Sequence, residues 1–350
     1  MKVNARTVKV LRLLLFPFAV LYDAATRLRN HLYNIGYRHS ISFDRPVIVV
    51  GNLRVGGTGK TPMVEYLVHL LKEQYHVATL SRGYGRRSRG FRIAQSADNA
   101  KTLGDEPMQY RLKFDKSITV CVGEDRALAI AELLGEKVET EVIILDDAFQ
   151  HRAVQPTFNI LLTEYSAPFF NDFVLPTGDL REARSGAQRA DAIIVTKCPA
   201  QISNESRAYM VEGIRQYAPS KPVFFSTVHY QEPKPVCGAL WFEPNKAVLI
   251  TGIAHPAPFV EYVKNRYSIE KHYRFADHHN YTLQDVHSVV AFVKACGADT
   301  VLLTTEKDMV RLLPFQEHLE QIPLFYIPIS MQFLESGSDF DRLVHSSIKS

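Results

Sequence analysis

The stretch from Val47 to Thr61 reads VIVVGNLRVGGTGKT, and it constrains the fold more than any other part of the chain. Val47 to Val50 is an unbroken β-branched run, which predicts a strand. A glycine-rich loop follows and closes on Gly59-Lys60-Thr61. Met63 to Leu71 then carries apolar residues at helical spacing. Strand, glycine loop, Gly-Lys-Thr and helix in this order form a phosphate-binding loop. Glycines let backbone N–H groups turn toward phosphate oxygens. Lys60 is expected to reach the β- and γ-phosphates and the Thr61 hydroxyl to hold Mg²⁺, with the helix N-terminus adding a favourable dipole. The expected nucleotide contacts are Arg54, Val55, Gly56, Gly57, Thr58, Gly59, Lys60 and Thr61. The usual spacing wants glycine at position 54, where this chain has Arg54, and Gly56 and Gly57 lie inside the loop instead.

A chain of 350 residues suits two domains or one large one. Hydrophobic content of 46% and charged content of 22% are those of a folded globular protein. Cys121, Cys198, Cys237 and Cys296 show no metal-binding spacing, so free thiols in a reducing compartment are expected. The net charge of +4 is unevenly placed. Residues 1–40 hold seven basic residues against Asp23 alone, a local +6, which leaves −2 for the remainder. A basic excess confined to one end argues against general nucleic-acid binding.

Between those basic residues lies an apolar stretch, Leu13 to Tyr22, preceded by Val10 and Leu11 and containing Pro17. A membrane-spanning helix needs about 20 apolar residues, so this run is too short. An interfacial amphipathic helix would bury Leu and Phe at the lipid boundary and set Lys and Arg against anionic head groups. A core helix with a basic outer face and a secretory signal peptide are the competing readings. Nucleotide chemistry downstream favours the cytoplasm over export.

Short apolar runs alternate with helical patterns along the rest of the chain. Strands are expected at 47–50, 77–80, 118–122, 142–145, 159–162, 192–196 and 223–226, mostly continuous in hydrophobicity, as strands buried on both faces are. Helices such as 62–71 and 126–134 lie between them. This is βαβ alternation and predicts a mostly parallel sheet with helices on both faces. A proline-bearing connector with Trp241 spans 230–244, after which strands at 247–251, 300–304 and 324–327 restart the alternation. The expected organisation is a membrane-associating helix region at 1–40, a P-loop domain at 41–229, a linker at 230–246 and a smaller C-terminal α/β domain at 247–350. The last ten or so residues read as loosely ordered.

A second strong signal is Glu141-Val142-Ile143-Ile144-Leu145-Asp146-Asp147. A buried strand ending in carboxylates matches the metal-binding acid of P-loop enzymes. Ser81-Arg82-Gly83-Tyr84-Gly85-Arg86-Arg87 follows the second strand, where loops of an open parallel sheet line the active crevice. In Gly104-Asp105-Glu106-Pro107, Glu106 is a candidate for the metal shell and Asp105 for accepting a substrate proton. Arg82 and Arg126 are candidates for neutralising charge on a transferred phosphoryl group. Asp277-His278-His279 precedes Thr282 and Asp285, a spacing that resembles a capping box. Those histidines read as an orienting or catalytic loop, a metal site or a plain surface loop.

Taken together, the segments 55–62, 81–85, 104–107, Asp146-Asp147-Ala148-Phe149-Gln150-His151, Leu175-Pro176 with Gly178, Leu180-Arg181-Glu182, Gly252-Ile253-Ala254 with Pro256, and Thr305-Glu306-Lys307-Asp308 resemble the tetraacyldisaccharide 4′-kinase (lipid A 4′-kinase) family of Gram-negative bacteria. The resemblance runs from the N-terminal apolar segment to about residue 311. It implies two α/β/α domains joined by a two-stranded linker. It also implies phosphorylation of the 4′-hydroxyl of lipid A disaccharide 1-phosphate with ATP and Mg²⁺ at the cytoplasmic face of the inner membrane. In the family an Asp–His pair activates the hydroxyl, and the motif match carries this to Asp105 and His278. Ala148 stands where the family often has glycine, and Arg54 where many members have a small residue.

The expected mechanism follows. ATP lies on the 54–61 loop, and Mg²⁺ is held by Thr61, Asp146 or Asp147, and Glu106. Asp105 accepts the sugar proton with His278 beside it, while Lys60, Arg82 and Arg126 stabilise the phosphoryl charge. The enzyme is expected to be a peripheral monomer held at the membrane surface by its N-terminal helix. The alternative is a membrane-associated regulatory NTPase that switches shape without phosphorylating lipid, and such a switch has no use for a paired Asp105 and His278.

Overall fold

The apolar runs become strands sealed on both faces. The computed structural model describes residues 14–236 and 243–349. Its strands are β1 (Val47–Asn52), β2 (Val77–Ser81), β3 (Arg92–Ile93), β4 (Thr119–Val122), β5 (Val142–Asp146), β6 (Phe158–Glu164), β7 (Ala192–Thr196), β8 (Val223–Tyr230), β9 (Lys234–Pro235), β10 (Lys246–Thr251), β11 (Ser268–Arg274), β12 (Thr300–Thr305), β13 (Leu324–Ile327) and β14 (Ile329–Phe333). They form a nine-stranded sheet of order β14-β8-β7-β6-β1-β5-β2-β4-β3 and a five-stranded sheet of order β11-β10-β12-β13-β9. The interior of the large sheet is parallel, and only its edge strands β3 and β14 run antiparallel.

The helices are α1 (Phe16–Asn34), α2 (Lys60–Leu71), α3 (Ala100–Leu103), α4 (Asp105–Phe114), α5 (Arg126–Glu136), α6 (Asn204–Arg215), α7 (Ala257–Lys264), α8 (Leu283–Cys296), α9 (Glu306–Leu312), α10 (Gln316–Leu319) and α11 (Gly337–Lys349). Alternate residues of β1 feed two cores. Val47 and Val49 pack with Ile130 and Leu133 of α5 and Ile214 of α6. Ile48 and Val50 pack with Leu67 and Leu71 of α2 and Tyr110 of α4. This period-2 division of a continuous apolar run is how one strand serves both faces of a sandwiched sheet. The register pairs Val50 of β1 with Asp146 of β5. It thereby sets the glycine loop after β1 beside the carboxylates at the end of β5.

After β13 the chain leaves the small sheet and returns to the large one. Ile329 to Phe333 pair antiparallel with Tyr230 to Ser226, so two adjacent strands carry the chain out of and back into the large sheet. Residues 329–349 thus belong with the large sheet, and the smaller unit expected over 247–350 ends at Ile327. The tail expected to be loose is the helix α11. Its Phe340 is fully buried and packs against Phe224 and Phe333, with centroids 5.3 and 4.9 Å away. Phe340, Leu343, Val344 and Ile348 have helical spacing, which is the physical reason this short segment finds a core. The linker contributes β9 to the small sheet, where it pairs with β13, whereas Trp241 lies outside the described residues. β11 reads poorly as a strand because it is a half-exposed edge rich in charge.

The apolar N-terminal stretch is part of the longer helix α1, within which Pro17 occupies the first turn, where it starts a helix without interrupting one. Leu14, Phe16, Phe18, Val20 and Leu21 are exposed, at 50% or more of their surface, while Val10, Leu11, Leu13 and the basic residues up to Arg12 lie outside the described residues. The opposite face of α1 docks on the body. The Tyr22 hydroxyl donates to the Arg181 carbonyl at 2.8 Å, and Asn30 Nδ2 donates to Glu182 at 2.7 Å. Among the described residues no helix is long and apolar enough to cross a membrane.

Candidate active site

The phosphate loop is shaped by its backbone. Gly59 caps α2 at φ +87°, a left-handed conformation that side chains disfavour. Thr58 is pinned from both sides: its hydroxyl accepts from Asn52 Nδ2 at 2.8 Å, and its carbonyl accepts from Thr196 Oγ1 at 2.8 Å. Lys60 folds back over the loop, with Nζ 3.4 Å from the Gly56 carbonyl, 3.4 Å from Asn52 Oδ1 and 3.6 Å from Asp147. The start of the loop is differently employed. Arg54 does not face the phosphate cradle, because its guanidinium bridges Asp172 and Asp179 at 2.8 Å each, and the Val55 N–H donates to the Asp179 carbonyl. That double anchor is what an arginine does at a position where a glycine would leave the loop untethered. The segment free to wrap phosphates is therefore Gly56 to Thr61.

Asp146 ends β5, Asp147 follows it, and the two have opposite environments. Asp147 sits at φ +50° and is gripped by Arg181 through two bonds of 2.7 and 3.1 Å. Burial pushes its carboxyl up, but Lys60 and Arg181 outweigh burial and hold it below the usual range. Asp146 is buried; Oδ2 accepts from the Tyr110 hydroxyl at 3.1 Å and Ser81 at 3.4 Å, whereas Oδ1 has no partner. Burial, with Asp147 and Glu106 nearby, pushes its carboxyl up to about 6. Tyr110 also hydrogen-bonds Thr61, so Thr61 and Asp146 share one aromatic hydroxyl. Glu106 is bound by Lys307 at 2.9 Å. Among the described residues no three Asp, Glu, His or Cys side chains form a ready-made metal cage.

Arg126 opens α5 but is nearly buried, donating to the carbonyls of Gly123 and Glu124 at 2.7 and 3.1 Å. Its Nε is buried without a partner, and burial pulls the guanidinium down to about 10 despite Asp146 and Asp147. Arg82 is exposed and lines an open cavity of about 420 Å³ with Tyr84, Arg87 and Glu124.

Asp105 and His278 are 173 positions apart, on α4 and on the loop before α8, yet Oδ2 of the first lies 3.0 Å from Nδ1 of the second. Gly104 makes this approach feasible. It has φ +96°, and a Cβ there would meet the Tyr84 carbonyl at 3.0 Å. His278 is itself held at φ +56°, its N–H donating to the Gly252 carbonyl at 3.0 Å. Such conformations in non-glycine residues cluster at functional sites. Arg311 bonds Asp105 at 2.8 Å and the Gly252 carbonyl at 2.8 Å. Burial pushes Asp105 up, but His278 and Arg311 outweigh it and keep the carboxyl below the usual range, hence ionised at neutral pH. His279 does not join the site: it stacks on Phe275 and contacts Asp285 at 3.1 Å. Thr282 and Asp285 make both bonds of the capping box.

The family model described as tetraacyldisaccharide-1-P 4′-kinase matches residues 11–349. The chain belongs to this family. The tetraacyldisaccharide 4′-kinase of Flavobacterium johnsoniae is 43% identical over 346 residues, covering 97% of this chain and 98% of that one. That of Cytophaga hutchinsonii is 40% identical, with 97% and 96% covered. A crystal structure of LpxK from Aquifex aeolicus in complex with ATP has a TM-score of 0.75 at 28% identity, covering 97% of this chain and 99% of that chain. This member is thus a phosphotransferase, a lipid A 4′-kinase. Within the candidate site, sequence reasoning named both members of the Asp–His pair but gave no role to Arg181, Lys307 or Arg311. Arg181 and Lys307 lie inside quoted motifs. Arg311 carries one signal, its position one helical turn after Lys307 and Asp308.

Proposed function

We propose that this kinase transfers the γ-phosphoryl group of ATP to the 4′-hydroxyl of lipid A disaccharide 1-phosphate, with Mg²⁺, at the cytoplasmic surface of the inner membrane. The observation that carries the reading is the 3.0 Å contact between Asp105 and His278, made between a helix of the large-sheet half and a loop of the small-sheet half; Glu106, next to Asp105, lies within electrostatic range of Asp146. A switch NTPase gains nothing from a proton acceptor assembled this way. Asp105 stays ionised and accepts the sugar proton. Lys60 neutralises the β- and γ-phosphates, the exposed Arg82 meets the developing charge from the loop after β2, and the buried Arg126 acts only through the field that also reaches Asp146 and Asp147. The partnerless Asp146 oxygen, beside Thr61 and within electrostatic range of Asp147 and Glu106, suits Mg²⁺. That ion takes one or two carboxylates plus phosphates and water, and it needs no all-protein cage. When bound, it supplies charge neutralisation for the nucleotide phosphates.

The exposed apolar residues of α1 support docking on the lipid surface, which brings the acceptor to a site whose other components lie in the globular body. Both halves of the site come from one chain, so a monomer suffices. The test is incubation with γ-labelled ATP and lipid A disaccharide 1-phosphate. Label in the lipid supports the reading; hydrolysis with no labelled lipid would select the switch.

A further inference from the structure

Helix α9 meets α4 through three side chains. Glu306 and Lys113 are 3.1 Å apart, Lys307 and Glu106 2.9 Å, and Arg311 and Asp105 2.8 Å. Lys307 makes a further contact that the proposed chemistry leaves unused. Its Nζ lies 3.2 Å from Nε2 of His278. An ammonium carries three donors and no acceptor, so Nε2 accepts. The ring proton then resides on Nδ1, which faces Asp105 Oδ2 at 3.0 Å. The opposite tautomer would set an N–H against the ammonium and a lone pair against the carboxylate, two repulsive contacts in place of two attractive ones. The other charges around the ring do not reverse this. Asp277 is 4.0 Å from Nε2, beyond hydrogen-bond range, and Arg311 Nη2, 3.5 Å from Nδ1, already pairs with Asp105 at 2.8 Å. Lys307 is steadied on its other side by Glu106.

We infer that Lys307 is a positioning residue which fixes His278 as its Nδ1–H tautomer. The ring proton is then donated to Asp105 Oδ2, and Asp105 Oδ1 remains the oxygen that receives the proton of the acceptor hydroxyl. The inference rests on the kinase reading for its purpose, but the tautomer itself is a property of the enzyme without substrate. It also gives the Thr305-Glu306-Lys307-Asp308 segment a task in the reaction. Free imidazole in water favours the Nε2–H form, so removing the ammonium should let the ring relax toward it.

The experiment is long-range ¹H–¹⁵N spectroscopy of the full chain with labelled histidine, with His278 assigned by the loss of its signals in His278→Asn. In the wild type the Nδ1–H pattern is expected. In Lys307→Met, which keeps the stem and loses the donors, the pattern should move toward Nε2–H. The kcat for lipid phosphorylation should fall about 10–100-fold, the size typical of lost outer-shell orientation, with little change in the KM for ATP. Lys307→Arg, which also only donates, should restore the wild-type tautomer and part of kcat, and it provides the test if the methionine variant fails to fold. An Nε2–H pattern in the wild type, or an unaltered Nδ1–H pattern in folded Lys307→Met, would overturn the inference. Failure of the wild type to label lipid would overturn the kinase reading alone, because the spectra do not depend on it.

Discussion

Asp146→Asn should separate catalysis from stability in opposite directions. The carboxyl is 5% exposed, and one oxygen has no partner. Burial first, then Asp147 and Glu106, push it up to about 6 from an ordinary value of 3.8. Between those two values the folded state holds a proton that the unfolded state has released. Stability from this group is therefore full below pH ~4 and lost as pH rises through ~6. At 1.36 kcal/mol for each pH unit of difference, the ionised carboxylate costs about 3 kcal/mol at pH 7. Asparagine has nearly the same shape, still accepts from Tyr110 and Ser81, and does not titrate. The variant should be inactive in lipid phosphorylation yet more stable than wild type by about 3 kcal/mol at pH 7, with the gap closing near pH 4. Since 1 kcal/mol moves the melting point of a domain of 150–250 residues by about 2–4 °C, the shift at pH 7 is about 6–12 °C. Melting curves of both proteins across pH 4–8, without nucleotide, read it directly. In a separate series, ATP with Mg²⁺ should raise the wild-type melting point more than the variant's. A gap that stays constant over that pH range would refute the argument, since the penalty would not then belong to an ionised Asp146.

Other outcomes follow from other parts of the molecule. Lys113→Met strips the cation from two buried carboxylates, Glu65 and Glu306, the first of which burial already pushes up to about 7. Leaving such charges unpaired costs about 3–5 kcal/mol, so urea unfolding should show a large loss, and an unchanged midpoint would contradict it. Asp105→Ala and His278→Ala should each slow kcat about 10²–10⁴-fold with a small change in the KM for ATP. The double variant should be little worse than the poorer single, and strictly multiplicative losses would argue against a pair. Replacing Phe16, Phe18 and Leu21 by aspartate should abolish flotation with anionic liposomes while melting stays put, because all three are at least half exposed and each inserted side chain is worth about 1.5–3 kcal/mol. Undiminished flotation would assign membrane contact elsewhere.

The parts of the fold legible in the sequence are those where local pattern and burial agree. Strands β1, β2, β5 and β7 are wholly buried, so their continuous apolar runs need no tertiary context. The phosphate loop was equally plain, because Gly59 and Lys60 act through local backbone and reach. Arg54 was not, since its meaning lies in Asp172 and Asp179, more than a hundred positions away. The C-terminal return was missed for a similar reason. β14 is only five residues and half exposed, and α11 has four well-spaced apolar residues whose partners, Tyr66 and Phe224, lie far upstream.

The Asp–His pair shows the same boundary from the other side. Each residue stands in a recognisable local setting, Asp105 in the first turn of α4 and His278 before a capping box. Neither setting says that they meet. What brings them together is α9, a helix of seven residues. It carries Glu306, Lys307 and Arg311 at spacings that place all three against α4, each opposite a charge of the other sign. A helix this short cannot hold itself by propensity. Its stability comes from the Thr305 cap at 3.1 Å and from Asp308, fully buried and bonded to Gly252 and Tyr281 at 3.0 Å each. The polar groups that secure α9 to the small sheet are thus one residue away from Lys307, which contacts His278. A sequence shows this only as a run of charged residues after an apolar strand, which reads as a solvated turn until the opposing charges on α4 are in view.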